Sequence, residues 1–265
     1  MNFLSQQWLL LKLAVVFLTR IPVPIKQEID DELLNKATGY FGVVGCLVAG
    51  LCALVLWSVA LYFPVSIAVL LSMAFGLMLT GAFHEDGLAD TADGFGGGWS
   101  VSQKLTIMKD SRLGTYGASA LCLALLLKYQ VLVLIAEVGV GFAIGALFIA
   151  HIVSRTMAIS IIPALDYVQL DNNSKTKPVA QQVNTSSLSI LFLSMILGLS
   201  LSSVFIHLSF THWLGLVLAL LIARYAFITF CNKQIGGYTG DVLGGAQQVF
   251  ELLIYLVLFL VAGGR

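Results

Sequence analysis

Charge is scarce in this chain. Of its 265 residues only 11% are charged and 58% are hydrophobic, whereas soluble domains average roughly 25% charged. That excludes a water-soluble globule. The 14 basic and 14 acidic residues cancel, so no net field draws the chain to nucleic acid, and no such partner is expected. Cysteine offers no chemistry either: Cys46, Cys52, Cys122 and Cys231 sit in apolar runs without C-x-x-C or Cys/His metal spacing, which reads as small hydrophobes. Also missing is any hydrophilic stretch long enough for a second domain, so residues 1–265 are expected to form one membrane-embedded domain. The opening MNFLSQQWLLLKLAVVFLTRIPVP lacks a basic n-region and an A-x-A site and is interrupted by Lys12, so it does not read as a signal peptide. It is short for a span. An interfacial or re-entrant helix ending before Pro22 is expected.

What is present is apolar length. About 20 apolar residues are needed to cross a bilayer, and seven segments qualify, roughly 38–63, 65–83, 115–136, 138–162, 187–207, 212–231 and 247–262. The expected fold is therefore an all-α, polytopic helical bundle of about seven transmembrane helices plus the N-terminal helix. Tight joints near Pro64, Glu137 and Leu208–Thr211 alternate with polar connections near 84–114, 163–186 and 232–246. Hairpins dipping from one face are implied. Arg20, Lys26, Lys36, Lys104, Lys109, Arg112, Lys175, Lys177 and Lys233 fall on the face of the long connections, and only Arg265 on the other. The positive-inside rule makes the long-loop face cytoplasmic. Gly42, Gly45, Ala49, Gly141 and Gly145 recur at helix-packing intervals.

The densest chemistry lies in HEDGLADTADGFGGGWS, His84 to Ser100. On a helix, Asp86, Asp90 and Asp93 fall within an arc of about 60°, converging on one point, with Glu85 roughly a quarter turn away. Like charges so close repel unless a cation joins them, and oxygen-only ligands favour Mg²⁺ over zinc. A solvated acidic helix end would show the same residues. Gly87, Gly94, Gly96, Gly97 and Gly98 argue for a site instead, by letting backbone approach a ligand. Downstream, KDSRLGTYG supplies Lys109, Arg112 and the opening N–H groups of the next span, which could hold a phosphate or could equally be a basic flank with a cap. A third cluster, GGYTGDVLGGAQQ from Gly236 to Gln248, surrounds Thr239 and Asp241 with glycine. Arg155 and Arg224 sit within spans, each roughly 11 Å from its cytoplasmic end. Either could snorkel or bind an anion. Lys128 lies deeper, and His151 shares the face of Arg155.

Together these segments resemble the cobalamin synthase family, also called adenosylcobinamide-GDP ribazoletransferase. FLTRIPVP at 17–24, HEDGLADTADGFGGG at 84–98, KDSRLGTYG at 109–117 and GGYTGDVLGGAQQ at 236–248 carry the likeness, in family order, over essentially the whole chain. The resemblance implies an inner-membrane enzyme of late cobalamin biosynthesis. It would join adenosylcobinamide-GDP to α-ribazole phosphate or α-ribazole, release GMP and require Mg²⁺, with its active site facing the cytoplasm. On this view Asp86, Asp90 and Asp93, helped by Glu85, hold the metal. Lys109, Arg112, Arg155, Arg224 and Thr239 contact substrate, and Asp93 or Asp241 takes a proton from the attacking hydroxyl. A homo-oligomer is compatible with the sequence.

Two other readings compete. A CDP-alcohol phosphotransferase or aspartate-rich prenyltransferase also uses carboxylate-bound magnesium, but the first wants D-G-x-x-A-R spacing and the second a further D-x-x-x-D pair, and Asp166 and Asp171 fit poorly. A transporter of divalent cations or corrinoids would place a carboxylate near the bilayer midplane. With the last span at 247–262, Glu251 is expected near its end instead.

Overall fold

The computed structural model of the chain describes residues 2–168 and 183–263. Helices follow one another as α1 (Phe3–Leu18), α2 (Asp31–Ala37), α3 (Phe41–Ala60), α4 (Val65–Thr80), α5 (Phe83–Gly97), α6 (Val101–Met108), α7 (Thr115–Val138), α8 (Val140–Ile159), α9 (Thr185–Ser202), α10 (Phe210–Ile235) and α11 (Gly240–Gly263). Among the described residues strand-like pairing is limited to an isolated parallel bridge between Tyr167 and Tyr238. Six helices are long and apolar enough to cross a membrane, and a bent pair, α4 with α5, makes a seventh candidate. The protein is an all-α polytopic membrane bundle. The 16-residue α1 is too short to cross on its own.

Two segments expected as loops are helical. Residues 84–114 contain α5 and α6, and of 232–246 only 236–239 separate helices, because α10 continues to Ile235 and α11 starts at Gly240. Glycine has low intrinsic helix propensity, which hid how far helix extends through both segments, but tertiary contacts override propensity where close approach is rewarded. The connection at 163–186 lies mostly outside the described residues, as do Lys175, Lys177, Asp171 and Arg265.

α8 forms the centre. It packs against α3, α7, α9 and α11, and Ala143, Ala146, Ala150, Ser154 and Ala158 are buried along it. Small side chains let backbones come close where apolar attraction between helices is absent. Gly45 lies against the His151 backbone, Gly42 against Ser194 and Gly145 against Ile206. Gly141, expected to pack likewise, has nothing within 4 Å of where a Cβ would stand.

The chain turns sharply between α4 and α5. Gly81 and Ala82 both adopt left-handed backbone, φ 66° and 55°, and the two helices meet at 85°. α5 thus runs nearly perpendicular to α4 and packs against α7 and α11. The Arg20 side chain lies against Gly81, where a Cβ would collide with it, and Arg20 N donates to Leu79 O at 2.7 Å. Gly81→Ala should therefore cost about 1–2 kcal/mol from φ alone, more with the contact, and lower the melting temperature in detergent. Ala82→Gly, relieving the same strain, should not.

Candidate active site

The acidic helix α5 crosses the first turns of α11 with almost no side chain between them. A Cβ on Gly87 would stand 2.7 Å from Asp241 O and 3.1 Å from Gly244 Cα, and one on Gly244 3.2 Å from Gly87 Cα. This backbone contact brings Asp86 and Asp90 of α5 to Asp241 of α11. Burial, then Asp86, Asp241 and Asp93 in that order, push the Asp90 carboxyl up to about 7. Gly87→Ala should force the helices apart by some tenths of an ångström and cut turnover with little loss of folded protein, which kinetics and size-exclusion profiles can separate.

The predicted set of four carboxylates divides. Asp93 is buried and both its oxygens are taken: Gly114 N donates to Oδ2 at 2.7 Å and Gly117 N to Oδ1 at 2.8 Å. It caps α7, a favourable place for an anion. Two of the N–H groups that the sequence offered to a phosphate, those of Gly114 and Gly117, are therefore held by Asp93. Glu85 points the other way, into the bundle, accepting from Gln248 Nε2 at 3.1 Å while Oε2 has no partner. Among the described residues no three His, Cys, Asp or Glu side chains stand close enough together to hold a metal ion between them.

The glycines of the acidic segment serve packing. Gly94 and Gly98 abut Met108 and Lys104, and Gly96 lies under the Tyr116 ring. Exposed Arg112 is paired with Asp110, the Nε bonds being 3.0 and 3.1 Å, and its guanidinium pulls the Asp110 carboxyl down to about 2. Lys109, at the end of α6, is exposed. Thr239 Oγ1 accepts from Val242 N at 3.2 Å, capping α11.

The two membrane arginines part company. Arg224 donates from Nε to Ser160 Oγ at 2.8 Å and from a terminal nitrogen to Ser160 O at 2.6 Å. These bonds hold it against the end of α8 and occupy two of the nitrogens that the sequence offered to a phosphate. Arg155 is 3% exposed, bonds His151 O at 2.9 Å and leaves Nε unpartnered. It lines two cavities, as does His84.

The first, about 480 Å³ counting its open mouth, has apolar walls into which His84, Glu85, Lys128, His151, Arg155 and Glu251 are set. Its centre is Glu251, halfway along α11 and 1% exposed, with Lys128 Nζ at 2.5 Å. Gln247 Nε2 donates to Glu251 at 2.8 Å and the Tyr255 hydroxyl at 3.3 Å. The expectation that no carboxylate lies centrally is overturned, because α11 begins seven residues earlier than 247. The signal was present: Gln247, Glu251 and Tyr255 recur every four residues on an apolar helix. The second cavity, about 450 Å³, is walled by Phe17, Phe41 and Phe83.

Fold and site define a polytopic membrane protein whose acidic crossing opens on the face of the long connections. The chain belongs to the cobalamin-5-phosphate synthase family, whose model matches residues 10–259. It is 46% identical over 258 residues to a Shewanella woodyi protein named adenosylcobinamide-GDP ribazoletransferase, covering 97% of this chain and 98% of that one. Proteins of the same name from Shewanella frigidimarina and Shewanella pealeana are 51% and 50% identical, over 94% and 96% of this chain and 93% and 96% of theirs. No solved structure matches the chain.

Proposed function

We propose that this protein joins adenosylcobinamide-GDP to α-ribazole phosphate or α-ribazole and releases GMP, as a Mg²⁺-dependent transferase of late cobalamin biosynthesis. The observation that carries the reading is the meeting of Asp86, Asp90 and Asp241 across the Gly87–Gly244 contact, in a member of this family. The residues suit the ion. Mg²⁺ is commonly held by one or two carboxylates, waters and substrate phosphates, with no closed protein cage, and the all-oxygen donor set with mutually repelling charges fits that pattern. Asp86 and Asp90 would hold it, and bound there it would neutralise charge on the diphosphate.

The remaining steps belong to the chain. Of the two bases left open by the sequence, Asp241 takes the proton of the ribose hydroxyl, since both Asp93 oxygens already accept N–H groups. The hydroxyl oxygen then attacks the cobinamide-linked phosphorus, and the bond to GMP breaks. Lys109 and Arg112, on the α6–α7 connection, steady phosphate oxygens; catalysis of this kind is mainly positioning and charge neutralisation.

Purified protein in nanodiscs should release GMP only when both substrates and Mg²⁺ are supplied. Release by water alone, or none with either ribazole form, would remove the reading. The basic residues of the long-connection face support a site facing the cytoplasm of the inner membrane. Cysteines introduced at Ser102 and Asn232 should be labelled from that side only.

A further inference from the structure

The aromatic cavity has no part in the chemistry above. It lies between the C-terminal ends of α1 and α8 and the first turns of α3, α5 and α11. Phe17 stacks on Phe41 at 5.7 Å between ring centroids and meets Phe83 edge-on at 5.1 Å, so three rings form a continuous wall. Opposite them are Ala158, Leu243 and Gly244. Besides Gln247, two polar side chains line this apolar slot, His84 and Arg155, and the Nε–H of Arg155 is buried with no hydrogen-bond acceptor. A buried donor left unmatched is destabilising, so an acceptor is called for.

Position then limits the occupant. Phe83 is one helical turn from Asp86 on α5, and Gly240 and Gly244 flank Asp241 on α11. A planar group in the slot would leave whatever it carries at the carboxylates. The slot, about 450 Å³ counting its open mouth, is too small for a corrin with its side chains and axial ligand, and its flat aromatic wall suits a planar bicyclic base. A guanine base would bring N–H donors needing acceptors. No carboxylate lines the slot, Gln247 is already committed to Ser154, Glu251 and Gln248, and His84 offers at most one ring nitrogen to the three N–H donors of guanine. A benzimidazole riboside, with one free ring nitrogen that accepts and an otherwise apolar double ring, meets both demands.

We infer that the slot walled by Phe17, Phe41 and Phe83 seats the benzimidazole base of the ribazole substrate, with the Arg155 Nε–H on its free ring nitrogen. The inference rests on the proposed reaction. It makes these residues determinants of lower-base specificity: a base without the acceptor, or one with ring N–H donors, is disfavoured.

Benzimidazole ribosides fluoresce, so binding of α-ribazole to the full-length protein in nanodiscs can be followed without catalysis. Base stacking on an aromatic side chain is worth roughly 1–3 kcal/mol, or about 5- to 150-fold. The partly exposed Phe83→Leu and Phe17→Leu should each weaken α-ribazole binding and raise its KM by about tenfold, leaving the KM for adenosylcobinamide-GDP unchanged. Wild-type protein should bind α-ribazole better than an indole riboside, in which carbon replaces the ring nitrogen, and Arg155→Lys should erase that preference. Melting temperature and size-exclusion profile confirm folding. Unchanged α-ribazole binding in folded Phe variants, or competitive displacement of α-ribazole from the wild type by GMP, would overturn the assignment, the latter giving the slot to guanine. Failure of wild-type protein to release GMP from both substrates would instead sink the proposed reaction, whatever the binding shows.

Discussion

Replacing Asp90 by Asn should abolish GMP release and at the same time raise the melting temperature of the metal-free protein. The two effects share one cause. Burial, and then Asp86 on the same helix and Asp241 across the α5–α11 contact, hold the Asp90 carboxyl up near 7 in the folded protein against 3.8 in the open chain. A carboxyl so raised opposes folding increasingly as pH climbs from about 4 to about 7. Metal-free wild type should therefore lose melting temperature over that range, and Asp90→Asn should flatten the curve. Relief of about 1 kcal/mol corresponds to roughly 2–4 °C for a chain of this size. Turnover should fall on the order of 10²–10³-fold, as when one preorganised charge-stabilising group is removed. Asp86→Asn should behave alike. Asp93→Asn should do the opposite to stability: an amide offers one acceptor where Gly114 and Gly117 need two, and a lost charge-assisted hydrogen bond costs about 1.5–3 kcal/mol. Wild-type turnover by Asp90→Asn at ordinary Mg²⁺, or equal melting losses in all three variants, would remove the division of labour read from the structure.

That division shows how far the sequence could be followed. Spans were legible because apolar length is a local property. The acidic set was legible as a helical face, yet which carboxylate serves which partner depends on helices far away in the chain. Nothing local distinguishes Asp93, facing the start of α7, from Asp90, facing α11. Glycine misled in a particular way. In α5 and at the start of α11 it reads as loop or ligand cradle, whereas Gly87 and Gly244 are there so that two helices can touch. Arg155 and Arg224 looked equivalent by depth, and only Ser160 at the end of α8 separates them. The aromatic slot could not be read at all, since Phe17, Phe41 and Phe83 come from three helices and each alone is an ordinary membrane phenylalanine.

The largest loss of stability is expected at Glu251. Its carboxylate meets Lys128 Nζ at 2.5 Å, with His151 Nδ1 at 3.9 Å and hydrogen bonds from Gln247 and Tyr255, all within the bundle. Removing one partner of a buried ion pair strands the other, at a cost of about 3–5 kcal/mol. Glu251→Leu should therefore melt far below wild type in detergent. Adding Lys128→Met removes the stranded ammonium, and well-packed apolar replacements of a buried pair are often neutral or stabilising, so the double variant should regain most of the loss. If stability were the whole purpose of the pair, the double variant would also regain turnover. It should not. Glu251 pins the rotation of α11, and α11 presents Asp241 to Asp86 from its first turn, ten residues away on the same rigid helix. With an apolar core there, nothing chooses one rotational setting over its neighbours, and GMP release should remain at least tenfold down in a protein as stable as wild type. A double variant that recovers melting temperature and turnover together would confine the ion pair to folding. One that recovers neither would show that the hydrogen bonds of Gln247 and Tyr255 matter more than the charge of Lys128.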